Sequence, residues 1–118
     1  MRREFLDYVE DIIKAMEDAL SFVEGVDYGD FVKDKKTIYA VIRALEVIGE
    51  AVKKIPISVR KHYPEIPWKE MAGMRDKLIH EYFGVDLKRV WKTVKEDIPN
   101  LKPLFEKILR DFESGNKG

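Results

Sequence analysis

The stretch Phe5-Leu6-Asp7-Tyr8-Val9-Glu10-Asp11-Ile12-Ile13-Lys14-Ala15-Met16 decides the fold. Its apolar residues fall three and four positions apart, and the series continues through Ala19, Leu20 and Val23. That is the period of one face of an α-helix, with the acids and lysines left to the other face. Such a helix is stable only when the apolar face is covered by another element. Gly25 supplies a stop signal, and residues 25–30 read as a loop.

The same period recurs outward along the chain. Ile38, Val41, Ile42, Leu45, Ile48, Ala51, Val52 and Ile55 predict a second helix, starting at about Phe31 or Lys35 and stopped by Pro56. Ser58 is placed to cap a short helix through Arg60 and His62, and Pro64 and Pro67 bracket a turn. Pro67 suits the first turn of a third helix, which carries Trp68, Met71, Met74 and Leu78 and ends near Gly84. Asp86 caps a fourth, with Leu87, Val90, Trp91 and Val94, ending before Pro99. A last helix runs from about Leu101 to Phe112, with Leu104, Phe105, Ile108 and Leu109 inward. No segment alternates with the two-residue period of a strand. The expected fold class is all-α, a helical bundle of about four to five helices with short connections. It forms a single domain over residues 1–113, followed by a flexible tail over 114–118.

Composition narrows the function. The 118 residues carry 22 basic and 22 acidic side chains, so the formal net charge is zero. This argues against a surface that grips nucleic acid everywhere, while leaving room for a local basic cleft. Cysteine is absent, which excludes a disulfide framework and a thiolate zinc site. No apolar run reaches the roughly 20 residues that span a bilayer, and the start lacks the pattern of a signal peptide. A cytoplasmic protein without membrane contact is expected. Glutamine is absent and asparagine occurs only at positions 100 and 116, a composition that points weakly to a thermophilic source.

The chemistry concentrates on the third helix, in Met74-Arg75-Asp76-Lys77-Leu78-Ile79-His80-Glu81-Tyr82. Asp76 and His80 are four apart and share a face; Arg75 and Tyr82 are seven apart and share another. His80 titrates near neutral pH and can exchange a proton with an RNA 2′-hydroxyl or a leaving 5′-oxygen. Arg75 offers a permanently charged fork to phosphate oxygens. Asp76 can accept from His80 and fix its tautomer, and Tyr82 can orient a phosphate or stack on a base. Internal transesterification of RNA uses the substrate's own hydroxyl as nucleophile, so these groups need no metal. Arg75 and His80 nevertheless lie about 140° apart around an ideal helix. A long arginine reaching round, a helix that ends or distorts near His80, or facing residues from a second copy would each resolve this. The plain alternative is an Arg and a His on a helix surface, with Tyr82 at the core edge.

No metal site is expected. The residues three before the histidines are Val59 and Lys77, so the Glu-x-x-His pairs of a di-iron bundle are missing. His62 reads as a surface residue. Trp68 and Trp91 read as core.

Arg75, Asp76, His80 and Tyr82 resemble the Arg-x4-His-x-Tyr motif of the HEPN superfamily, the HepT-like toxins in particular. The resemblance extends to residues 44–51 (Ala-Leu-Glu-Val-Ile-Gly-Glu-Ala), to residues 68–74 leading into the motif, and to residues 82–86 and Val90-Trp91 beyond it. It implies a homodimer in which motifs of two subunits face one cleft. It also implies a metal-independent endoribonuclease without cofactor, with Arg75 and His80 catalytic and RNA as substrate. Relatives of this kind are toxins of type VII-like toxin–antitoxin pairs. The partner implied is a minimal nucleotidyltransferase antitoxin that silences the toxin by adenylylating the motif tyrosine, here Tyr82. Asp76 stands where many relatives carry Asn. Its carboxylate would pair more strongly with His80 but repel phosphate. Glu50, within the second-helix signature, either faces the cleft in support of the motif or is a solvated acid. A non-catalytic HEPN module that docks a nucleotidyltransferase is the alternative function.

Overall fold

Asp27, Asp34 and Asp86 show how this chain starts its helices. In the computed structural model each carboxylate accepts backbone N–H groups that would otherwise lack partners: Asp30 N–H on Asp27 at 2.8 Å, Thr37 N–H on Asp34 at 3.1 Å, and Lys88 and Arg89 N–H on Asp86 at 3.1 and 3.2 Å. The structure describes the backbone of residues 4–80 and 86–115, and side chains over 4–74 and 86–113.

Helix α1 spans Phe5–Phe22 and buries Val9, Ile12, Ile13, Ala15, Met16 and Ala19. Gly25 follows at φ +72°, a left-handed conformation that favours glycine. The segment read as a loop then contains one helical turn, α2, Tyr28–Phe31. Asp27 caps it, and Phe31 is driven fully into the core. Helix α3 spans Lys35–Val52. Its start is therefore the later of the two expected positions, because Asp34 caps it and the Thr37 hydroxyl also donates to that carboxylate, at 2.6 Å. These bonds hold the Asp34 carboxyl below the usual range, the Thr37 side chain being the largest cause.

Helix α3 ends before Ile55 rather than at it. Arg60 explains the stop: its Nη2 and Nε donate to the carbonyls of Val52 and Ile55 at 3.0 and 2.9 Å. A cation thus sits at the negative end of α3, on the carbonyl of its last residue and on that of Ile55 just beyond it. Arg60 sits in α4, Ile57–Arg60, whose cap position is Pro56 and not Ser58. The Pro56 carbonyl accepts from Val59 and Arg60, so the turn closes two residues earlier than the serine signal implied.

Helix α5 spans Trp68–His80. Helix α6, Leu87–Lys92, runs into a π-helical stretch, Thr93–Asp97, and on into α7, Ile98–Gly115. The expected break at Pro99 is corrected here: residues 87–115 form one continuous rod. A proline in an α-helix presses its ring on the carbonyl four residues back and removes one hydrogen bond. The π stretch changes the bonding register just before Pro99, with Ile98 N–H donating to Thr93 O, five residues back. Proline's cost is about 3 kcal/mol. Each fully buried side chain such as Phe105 or Ile108 contributes about 1.5–3 kcal/mol. Packing therefore wins.

Helices α1, α3, α5 and the rod form the bundle. Helix α1 packs along α3 and α7, and α3 along α5. The rod runs antiparallel to α1: the Phe5 and Phe112 rings meet edge-on at 4.8 Å, Lys102 pairs with Glu17 at 3.5 Å, and Lys95 donates to the Val23 carbonyl at 3.3 Å. Ring packing and a hydrogen bond join the entry of α5 to α7, with the Lys107 ammonium also 5.3 Å from the Tyr63 ring. The Trp68 and Phe105 rings meet at 5.5 Å, and the Tyr63 hydroxyl donates to Asp111 at 2.8 Å. Burial, and then that bond, push the Tyr63 hydroxyl up to about 12, so it remains a donor at neutral pH. Among the described residues there is no strand, and no buried side-chain nitrogen or oxygen lacks a partner. The all-α expectation holds.

The cap at Asp86 is open to a direct check. Asp86→Ala leaves two N–H groups to water and is expected to cost about 1 kcal/mol. In a domain of this size that lowers the Tm by about 4 °C, measurable by circular dichroism.

Candidate functional site

Helix α5 carries the expected chemistry. Its first turns are anchored by Trp68, which is buried and whose Nε1 donates to the Tyr63 carbonyl at 3.0 Å. Met71 is buried beside it. Arg75, Asp76 and His80 follow within the same helix. Because α5 is α-helical without a break from Trp68 to His80, positions 75 and 80 stay about 140° apart around its axis. No distortion of the helix between Arg75 and His80 therefore brings the two together, and the chain just beyond His80 lies outside the described residues. The side chains of Arg75, Asp76 and His80 lie outside the described residues, as does Tyr82 altogether.

Glu50 is exposed, near the end of α3, the helix that packs against α5, and it has an interaction partner. His62 is exposed, as expected of a surface residue. The tryptophans are structural: Trp91 packs on Phe31 at 5.0 Å and Tyr28 at 5.8 Å, with the Lys95 ammonium 4.9 Å from its ring. Among the described residues no group of three or more His, Cys, Asp or Glu converges as metal ligands. No helix among them is long and apolar enough to cross a membrane.

Sequence reasoning passed over a groove beside the motif. A space of about 670 Å³ separates the first half of α5 from the rod. Glu70, Met71, Gly73 and Met74 form one wall; Arg89, Lys92, Asp97 and Asn100 stand on the other. Thr93, buried, donates to the Arg89 carbonyl at 2.8 Å, and the Asn100 amide donates to the Glu96 carbonyl at 3.0 Å. Along α5 itself, His80 lies two helical turns beyond Gly73, about 10 Å along the axis and at nearly the same angle. The sequence did carry a signal for this place. Glycine inside a helix costs about 1 kcal/mol relative to alanine. At Gly73 the backbone has no positive φ to justify it, and an added Cβ would meet nothing within 4 Å.

An antiparallel helical bundle with Arg-x4-His on α5 defines an all-α domain of the HEPN type. The family model for ribonuclease HepT-like proteins matches residues 12–108, and the chain belongs to this family. A Thermococcus cleftensis protein provisionally named ribonuclease HepT is 59% identical over 108 residues, covering 92% of this chain and 98% of its own. A Methanocaldococcus jannaschii protein provisionally named an RNase is 54% identical over 112 residues, covering 95% of this chain and 97% of its own. A Caldanaerobacter subterraneus protein, also provisionally named an RNase, is 47% identical over 103 residues, covering 87% and 92%. No solved structure matches the chain.

Proposed function

We propose that this protein is a metal-independent endoribonuclease, the toxin of a type VII-like toxin–antitoxin pair. The observation that carries the reading is the Arg75-x4-His80-x-Tyr82 pattern in a chain of the HepT-like ribonuclease family. His80 takes the proton of an RNA 2′-hydroxyl as that oxygen attacks the adjacent phosphorus. The bond to the 5′-oxygen breaks, a 2′,3′-cyclic phosphate forms, and a proton returns to the leaving oxygen. Arg75 stabilises the negative charge that grows on the phosphoryl oxygens. Asp76 holds the His80 ring in its working tautomer, and Glu50 supports the motif from α3.

The 140° between Arg75 and His80 favours a site shared by two subunits, so the active form is a homodimer in the cytoplasm. The partner is a minimal nucleotidyltransferase antitoxin that adenylylates Tyr82. Bulk and negative charge beside Arg75 would compete with RNA phosphate. The second reading, a non-catalytic module docking that nucleotidyltransferase, has the same family likeness behind it but leaves the Arg/His pair without a task.

The test is cleavage of single-stranded RNA in excess EDTA, with product ends analysed by mass spectrometry. Cleavage that survives EDTA and leaves cyclic phosphate ends is expected. Loss of cleavage on chelation, restored by a divalent cation, would overturn the metal-independent mechanism. After co-expression with the antitoxin, an unmodified Tyr82 peptide would rule out the proposed silencing.

A further inference from the structure

The geometry points to the groove between α5 and the rod as a subsite for one nucleotide of the RNA strand, next to the scissile phosphate. This deepens the ribonuclease reading and rests on it. The space, about 670 Å³, falls within the range of sites that enclose a small ligand. Its walls suit a nucleotide better than a bare anion or an apolar ligand. Arg89 and Lys92 stand three apart on α6, both exposed, and among the described residues neither is paired with a carboxylate. They fit the phosphate. Half-buried Met74, seated on buried Met71, gives a soft apolar surface for a base face. Glu70 and Asp97, one from each wall, accept hydrogen bonds, and a ribose 2′-hydroxyl and base amino groups donate them.

Gly73 is the second, independent observation. It stands on the groove wall, in mid-helix and exposed, with open space where a side chain would be. Among the described residues nothing requires glycine there. A ligand backbone approaching the helix closely does. The groove wall on α5 also stands in the right place: Gly73 lies two helical turns before His80 at nearly the same angle, and the facing wall starts at Arg89, nine residues beyond His80 in the chain. A nucleotide seated there would hold the neighbouring phosphate at the motif.

The experiment compares wild type with Arg89→Ala/Lys92→Ala and with Gly73→Leu. Cleavage of a short single-stranded RNA gives kcat and KM over a range of salt. Affinity for the same RNA, and for DNA of the same sequence, is measured by fluorescence anisotropy in the uncleaving His80→Ala background. Light scattering gives the oligomeric state. The double variant is expected to raise KM and Kd about tenfold with kcat within about twofold. Its salt dependence should flatten by about 0.7 in the log–log slope, as befits one phosphate no longer neutralised on a single strand. Arg89→Lys should recover most of the loss, Gly73→Leu should weaken RNA binding without it, and wild type should prefer RNA to DNA. Unchanged KM, Kd and slope in both groove variants would overturn the subsite. A loss that tracks a changed oligomeric state would overturn it too, making the groove a contact between copies. Failure of the ribonuclease reading would look different: wild type would leave RNA intact, while the binding measurements would still decide what the groove holds.

Discussion

Replacing His80 by alanine is expected to slow RNA cleavage by about 10²- to 10⁴-fold, the range that a positioned general acid–base group contributes. The fold should survive, because His80 is the last described residue of α5 and alanine is the best helix former. Circular dichroism of the variant should therefore match wild type while the rate collapses. Arg75→Ala should cost about 10²- to 10³-fold through loss of charge stabilisation at the phosphoryl oxygens. The two variants together give a sharper readout. If one subunit supplies Arg75 and the other His80, a heterodimer of the two inactive variants keeps one intact site. Mixing and re-associating equal amounts should then recover about a quarter of wild-type activity, since half the dimers are mixed and each has one of two sites. No recovery would place both residues of a working site on one chain. Cleavage by His80→Ala at the wild-type rate would remove the histidine from the mechanism.

The largest expected loss of stability belongs to Phe105→Ala. Phe105 is fully buried, and its ring meets the Trp68 ring edge-on at 5.5 Å. Truncating a buried phenylalanine costs about 3–5 kcal/mol, from lost burial and the cavity left behind. Small domains are stable by about 5–15 kcal/mol, so this is a large share of the total. The Tm should fall by about 15 °C or more. The reason for choosing this ring is its partner. Trp68 opens α5, and its packing on Phe105, with the Nε1 bond to Tyr63, anchors the helix that bears Arg75 and His80. Substitution should therefore loosen the first turn of α5 before the bundle as a whole melts, which amide exchange at Met71 and Ala72 would detect. Tyr39→Ala is the contrast: its side chain is 64% exposed, and a change within about 0.5 kcal/mol is expected. A loss at Phe105 no larger than that at Tyr39 would contradict the packing described.

Helical period and cap chemistry made most of the fold legible. The apolar faces of α1 and α3 are the faces that are buried, because periodicity records which side of a helix avoids water. Asp86 was readable as a cap because its carboxylate acts on its own immediate neighbours. The misplacements share one cause, a local signal overruled by a partner distant in sequence or by a shift in bonding register. Pro99 announced a break, but the preceding π stretch and the buried face of α7 carried the helix past it. Ser58 announced a cap, but Arg60, bonded to the end of α3, fixed the turn at Pro56.

The stretch from Phe5 to Met16 by itself determined that this is a bundle of amphipathic helices, since a helix with that face cannot stand alone in water. The Arg75–Tyr82 pattern and its flanking signatures determined the family. Both are one-dimensional properties: a spacing, and a set of residue types. The antiparallel course of the rod along α1, the anchoring of α5 on Phe105, and the groove that sets Arg89 and Lys92 opposite Gly73 were decided by the tertiary structure alone. They depend on which faces meet across the bundle, and the period of a helix says which face is buried but not against what.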